Sequence, residues 1–163
     1  MAMDIEIKAI LAKGLSEGYV GKGVRGKAVR IGISLETNEY QGLEGKYRDE
    51  WAGHQNGGGQ EIAEAANGGK ATRVYAGGSL DVDGLKKLWL TDKDVIEKLI
   101  FFINQLGEKT RQDQDAVATE GVWNYSYKVL KSVKEIPVEV GEEEIRFHDN
   151  LVFIHYHINS PIR

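Results

Sequence analysis

The sequence contains no cysteine. That absence removes disulfides, thiolate nucleophiles and every zinc or iron–sulfur centre built on sulfur, and leaves histidine, carboxylate and hydroxyl groups to carry any chemistry. Also missing is an apolar run of the ~18 to 20 residues that a membrane-spanning helix needs. The opening "MAMDIEIKAI" lacks the charged-then-apolar-then-small order of a signal peptide. Charge is modest too: a formal net charge of -4 and a pI near 5.6 give no global field for gripping nucleic acid. The expectation is a cytoplasmic protein with neither a membrane nor nucleic acid as partner. A chain of 163 residues fits a single domain over 1–163, able to bury ~70% of its unfolded surface.

One near-motif calls for a decision. "GKGVRGKA", Gly21 to Ala28, has the glycine, four-residue gap, glycine and lysine of a phosphate-binding loop, with alanine where serine or threonine belongs. Such a loop works by following a buried strand and opening a helix whose N-terminus faces the phosphate. Here the upstream "LSEGYV" is short and broken by Gly18, and downstream Val29, Ile31, Ile33 and Leu35 alternate with polar residues in the period of a strand. The stretch, with the basic Lys22, Arg25 and Lys27, reads as a connector between a helix and a strand.

Periodicity organises the remainder. Met3, Ile7, Ile10, Leu11 and Leu15 recur at helical spacing, which predicts a helix from Asp4 to about Glu17 closed by Gly18. Strands are expected near 29–36, 45–52, 59–65 and 71–77, separated by "NGGG" and "NGG" turns. Thr91 and Asp94 form a capping-box pair ahead of a wide apolar stripe at Val95, Ile96, Leu99, Ile100, Ile103 and Leu106, ended by Gly107. A polar connector, "EKTRQDQDAVATE", then leads to strands near 122–131, 136–147 and 151–159, the last two joined by a turn at His148-Asp149-Asn150. The fold class is α+β: a curved, mainly antiparallel sheet with two principal helices. Helix-then-strands occurs twice, over 1–90 and 91–163, and "GQEI" has a counterpart in "GEEEI". This is the pattern either of an internal duplication of a helix-plus-meander unit or of hairpins that look alike by chance.

Tyr47-Arg48-Asp49 with Gly53, then Gly59-Gln60-Glu61-Ile62, then Val74-Tyr75 with Gly77-Gly78 resembles a family of domains of unknown function with the pattern Y-x-D…G-x-E…Y-x-G-G. Some members of that family are fused to helix-turn-helix regulators. The resemblance covers most of the chain and implies a repeated-strand architecture without implying a reaction. The second half departs from the pattern, having no Gly-Gly after its last strand.

Two groups of residues could carry chemistry. His155 and His157, two apart in "FIHYHI", share one face of a strand, the geometry of paired imidazole ligands; His54, His148, Glu61 or Glu144 would have to supply a third. With Leu151 and Phe153 on the same face and Val152, Ile154, Tyr156 and Ile158 on the other, the strand reads as buried on both sides, which favours hydrogen-bonded core histidines and no metal. The aromatics offer more. Tyr47, Asp49 and Trp51 alternate on one strand face, as do Trp123, Tyr125 and Tyr127 on another. Rings with polar ends either pack under helices or wall a pocket in which a few polar groups converge.

The ligand-binding candidates are therefore Tyr47, Asp49, Trp51, Glu61, Tyr75, Trp123, Tyr125, Tyr127, His155 and His157. No nucleophile-and-base signature accompanies them, and no cofactor is implied. The leading expectation is a non-enzymatic module that binds or senses a small molecule. The alternatives are a small enzyme using carboxylates or histidines in a cleft, and an interaction domain acting through an oligomer. "LVFIHYHI", apolar and uncharged, would make a poorly protected sheet edge, so either it lies centrally in its own sheet or it meets the same strand of a second copy across a two-fold axis; a homodimer is the expectation, because a sheet of this size leaves an edge or face to cover.

Overall fold

A computed structural model describes residues 5–21 and 23–163; Met3, Asp4 and Lys22, which figured above, lie outside them. Nine strands form one open antiparallel sheet in the order β1-β2-β3-β4-β5-β9-β8-β7-β6. They are β1 (Val24–Arg30), β2 (Ile33–Gly42), β3 (Gly45–Ala52), β4 (Asn56–Ala65), β5 (Lys70–Ser79), β6 (Ala116–Glu120), β7 (Trp123–Val133), β8 (Val138–Phe147) and β9 (Asn150–Ile162). The strands are meanders, β1 to β5 and β6 to β9, and they meet where β5 pairs with β9. The class is α+β with a curved sheet, as the periodicity predicts.

Helix α1 (Ile5–Lys13) lies against β3 and β4, burying Ile7, Ile10 and Leu11 with Tyr47, Ala63 and Ala71. Where the sequence predicts the same helix continuing to Glu17, the chain widens into π-helical turns over Gly14–Val20, with Gly18 buried inside them. Such turns shift the helix register and often accompany functional sites. Here they carry Leu15 into the larger core, with Tyr19 and Val20 packed against it. Helix α3 (Asp92–Leu106) begins as its sequence dictates: the Thr91 hydroxyl accepts from the Asp94 N–H, and the Asp94 carboxylate accepts from the Thr91 N–H at 2.7 Å. Its stripe, Val95, Leu99, Phe102 and Ile103, packs on Trp123, Tyr125, Ile145 and Phe153. A short helix, α2 (Val82–Lys87), capped by Asp81, precedes it and has no clear sequence period.

Four expectations are corrected. The strand expected at 29–36 is broken at Ile31-Gly32, whose φ values of 53° and 76° form a two-residue hairpin turn. The supposed connector from Val24 onward is strand β1, with Lys27 opposite Glu36. No helix starts at Lys27, so the feature a phosphate-binding loop requires is missing there. The alternation was genuine, but Val29, Ile31 and Ile33 are all exposed, so it marks no buried face. Within the polar connector, residues 116–120 form edge strand β6, and Thr110, Arg111 and Gln112 are buried. Strand β9 is central, paired with β5 and β8, and its outer face is open at Tyr156 and Ile158; it is not buried on both sides. A bulge against β8 leaves Val152 as an extra residue, which turns both Val152 and Phe153 into the core.

Candidate functional site

The site grows from cross-strand rows on the covered face of the sheet. Asp49, Glu61 and Arg73 lie side by side on β3, β4 and β5. The next row runs Trp51, Gly59, Tyr75, His157 and Gly141, and a third runs Gly77, His155, Glu143 and Tyr127. Two glycines make room for rings. A Cβ on Gly59 would come within 2.5 Å of the Tyr75 hydroxyl, and one on Gly141 within 2.0 Å of the Tyr127 hydroxyl. The bare backbone at Gly59 lets the Tyr75 ring lie across β4, and its hydroxyl donates to Asp49 at 3.0 Å from Oδ1 and 3.2 Å from Oδ2.

Behind this pair lies a buried ionic network. Arg73 pairs with Glu61 and donates to the Arg111 carbonyl at 3.1 Å. That bond pins the buried 110–112 segment to the sheet, with Arg111 in the left-handed region at φ 55°. Arg111 grips Glu143 with two parallel bonds, Nε to Oε1 at 3.0 Å and Nη2 to Oε2 at 2.8 Å, and its Nη1 lies 3.6 Å from Glu61. Tyr125 donates to Glu143 at 2.7 Å. Burial works against both charges of the Arg111–Glu143 pair, but their mutual attraction outweighs it: Glu143 is held well below the usual carboxylate range and Arg111 above its own.

Asp49 differs. Burial, then the neighbouring Glu61 charge, raises its carboxyl to about 7, against the Tyr75 hydrogen bond and the more distant Arg111 and Arg73. Burial and Asp49 in turn push the Tyr75 hydroxyl upward. The imidazoles go the other way: burial lowers His155 to about 4 and, with Arg111, lowers His157 to about 3, so both are neutral above mild acidity.

Asp49, Tyr75, His155 and Arg111 form the polar floor of a cleft. Leu15 and Tyr19 from the π-helical turns, Ile96 and Leu99 from α3, and Trp51 and Phe153 from the sheet supply apolar walls, while Gly57, Gly58, Gly77 and Gly78 make one side of bare backbone. Four of the ten sequence candidates thus meet in the cleft: Asp49, Trp51, Tyr75 and His155. Glu61, His157, Tyr125 and Tyr127 lie behind it in or against the ionic network. Tyr47 packs under α1, and Trp123 lies in the larger core against Phe147 at 4.7 Å between ring centroids.

Glu143, His155 and His157 bring one ligand atom each within 4.8 Å of the others. The donor set is poor for a cation. Both Glu143 oxygens are taken by Arg111, and Tyr125 adds a further bond to one of them. A dication there would face a guanidinium. The third partner of the histidines is in any case Glu143, adjacent to the Glu144 that the sequence suggested. Sequence reasoning missed Arg73, Glu143 and Arg111. The first two share strand phase with Tyr75 and Ile145, a usable signal; Arg111 has none.

Comparison of the chain with protein-family models, with curated proteins and with solved structures gives no match.

Proposed function

We propose that the protein is a small-molecule-binding module whose ligand enters the cleft between α3, the π-helical turns and the sheet. The single observation that carries this reading is the convergence of Asp49, Tyr75, His155 and Arg111 on the floor of a cleft walled on one side by Leu15, Tyr19, Trp51, Leu99 and Phe153. Apolar walls supply affinity and the few polar groups fix orientation. Native mass spectrometry of the protein after incubation with a metabolite extract and gel filtration tests it. A small organic molecule should be retained by the wild type and lost from Ile96→Trp, which fills the cleft; retention of nothing, or equal retention by both, contradicts the reading.

One observation favours an enzymatic second reading: a buried carboxyl that titrates near neutrality beside a tyrosine hydroxyl has the makings of a general acid–base pair. Under that reading the retained molecule changes mass on standing with wild-type protein and not with Asp49→Asn.

The repeat and the assembly stay proposals of the same kind. The placement of Gly59-x-Glu61 and Gly141-x-Glu143 on the penultimate strand of each meander supports descent from one duplicated unit, in line with the family resemblance. A homodimer could not pair through β9, which has no free edge; the edge strands β1 and β6 and the open outer face at Ile62, Val74, Tyr156 and Ile158 are the surfaces left to it, and sedimentation equilibrium reads whether it forms.

A further inference from the structure

The buried face under the helices holds three carboxylates, Asp49, Glu61 and Glu143, and two guanidiniums, Arg73 and Arg111. Both guanidiniums are engaged: Arg73 with Glu61, and Arg111 with Glu143 and, at 3.6 Å, with Glu61. Asp49 is the carboxylate left over. Among the described residues no cationic side chain lies within ion-pair distance of it, and its hydrogen bonds come from Tyr75. It is also the one of the three that faces the cleft. A buried carboxylate without a countercharge must either keep its proton or receive a cation from outside. The walls beside it suit the second course, because Tyr19, Trp51 and Tyr75 present rings, and Tyr19 and Trp51 meet edge to face at 5.8 Å between centroids. Aromatic rings around an unpaired carboxylate attract an alkylated ammonium group, which loses little hydration on entering; the Arg111 guanidinium on the same floor is already neutralised by its two bonds to Glu143.

We propose that the cleft takes an organic ammonium ion, with the cationic head at Asp49 and the carbon skeleton against Trp51, Tyr19, Leu99 and Phe153. This rests on the small-molecule reading above and names its ligand class. The charged groups facing Asp49 are Glu61 on β4, Arg73 on β5 and Arg111 after α3, and the neutral titratable groups are Tyr75 on β5, Tyr19 on the π-helical turns, Tyr47 on its own strand and His155 on the floor. In the empty cleft Asp49 holds a proton up to about pH 7. An ammonium ion favours the carboxylate, so binding expels that proton below neutrality.

Three probes of one shape and different charge test this: choline, its neutral isostere 3,3-dimethylbutan-1-ol, and the anion 3,3-dimethylbutyrate, each titrated into full-length protein by calorimetry and by NMR of the Trp51 indole. Choline should bind at least tenfold more tightly than the alcohol, and the anion not at all. Choline carries a fixed charge, so its affinity should rise roughly tenfold per unit from pH 5 to 6 and level off above 7, with proton release over the same range. Asp49→Asn should abolish the preference for choline over the alcohol, and Trp51→Leu should weaken both. Equal binding of choline and the alcohol with no pH dependence overturns the ammonium inference and leaves the cleft reading in place. Binding of the anion in preference to choline, or perturbation of Trp51 by none of the probes, also overturns it; the cleft reading then stands or falls on the extract experiment alone.

Discussion

The two meanders place a buried glutamate at the same point and surround it differently. In the first, Glu61 has Asp49 on one flanking strand and Arg73 on the other; in the second, Glu143 has Tyr127 and His155 in those positions and takes its arginine from outside the sheet. The second half is thereby balanced: one carboxylate, one bidentate guanidinium, neutral rings around them. In the first half a further carboxylate is set beside an ion pair that is already complete. One half consequently acts as a rigid polar core, whereas the other has a charge to settle, and the cleft opens over that half's carboxylate.

The largest way to break this comparison is to remove the arginine that balances the second half. Arg111→Leu strands Glu143 as a buried charge and should cost ~3 to 5 kcal/mol. Urea unfolding at pH 7 measures it, and a loss under ~1 kcal/mol would mean that water already reaches Glu143. Next come the glycines under the rings. Gly59→Ala and Gly141→Ala should each cost ~1 to 3 kcal/mol, because a Cβ collides with the Glu50 carbonyl and the Tyr75 hydroxyl at the first and with the Tyr127 hydroxyl at the second. Only Gly59→Ala should also move the Asp49 pKa, upward, by loosening the Tyr75 hydrogen bond; an equal shift in both variants would erase the difference between the halves.

Acid should separate them as well. Between about pH 4 and the ordinary histidine range the unfolded chain protonates His155 and His157 while the folded chain refuses, so their contribution to stability rises with pH. Asp49 has the opposite sign: the folded chain keeps its proton up to about pH 7, and stability from this group falls as pH rises from the ordinary carboxyl range through 7. Two protons against one leave a net rise of up to ~1.4 kcal/mol per pH unit. In Asp49→Asn the same unfolding series should be steeper; an unchanged slope would mean that Asp49 is not raised. The smallest effect belongs to the hairpin outside both halves' cores. Lys27, exposed and 3.6 Å from Glu36, should cost under ~0.5 kcal/mol on replacement by alanine.

What the sequence made legible follows burial. Helix α3 was readable because its stripe and its capping box agree, and the turn at His148-Asp149-Asn150 because Asp and Asn favour turns, His148 and Asp149 both taking positive φ there. The β1–β2 hairpin was not, since Val29 and Ile33 alternate without a core to answer to and a two-residue turn at Ile31-Gly32 interrupts no pattern. In the site, Asp49 and Tyr75 could be found from strand phase. Arg111 could not: its burial depends on a left-handed residue, an Arg73 bond to its carbonyl and a glutamate on a strand 32 positions away, none of which leaves a local period.

The most direct test of the surplus carboxylate is a carbon-13 NMR titration of the Asp49 side chain in the ligand-free protein. The expected midpoint is about pH 7, falling when choline is present. A midpoint in the ordinary aspartate range, unmoved by choline, would show that Asp49 already has its countercharge and would contradict the distinction drawn between the two halves.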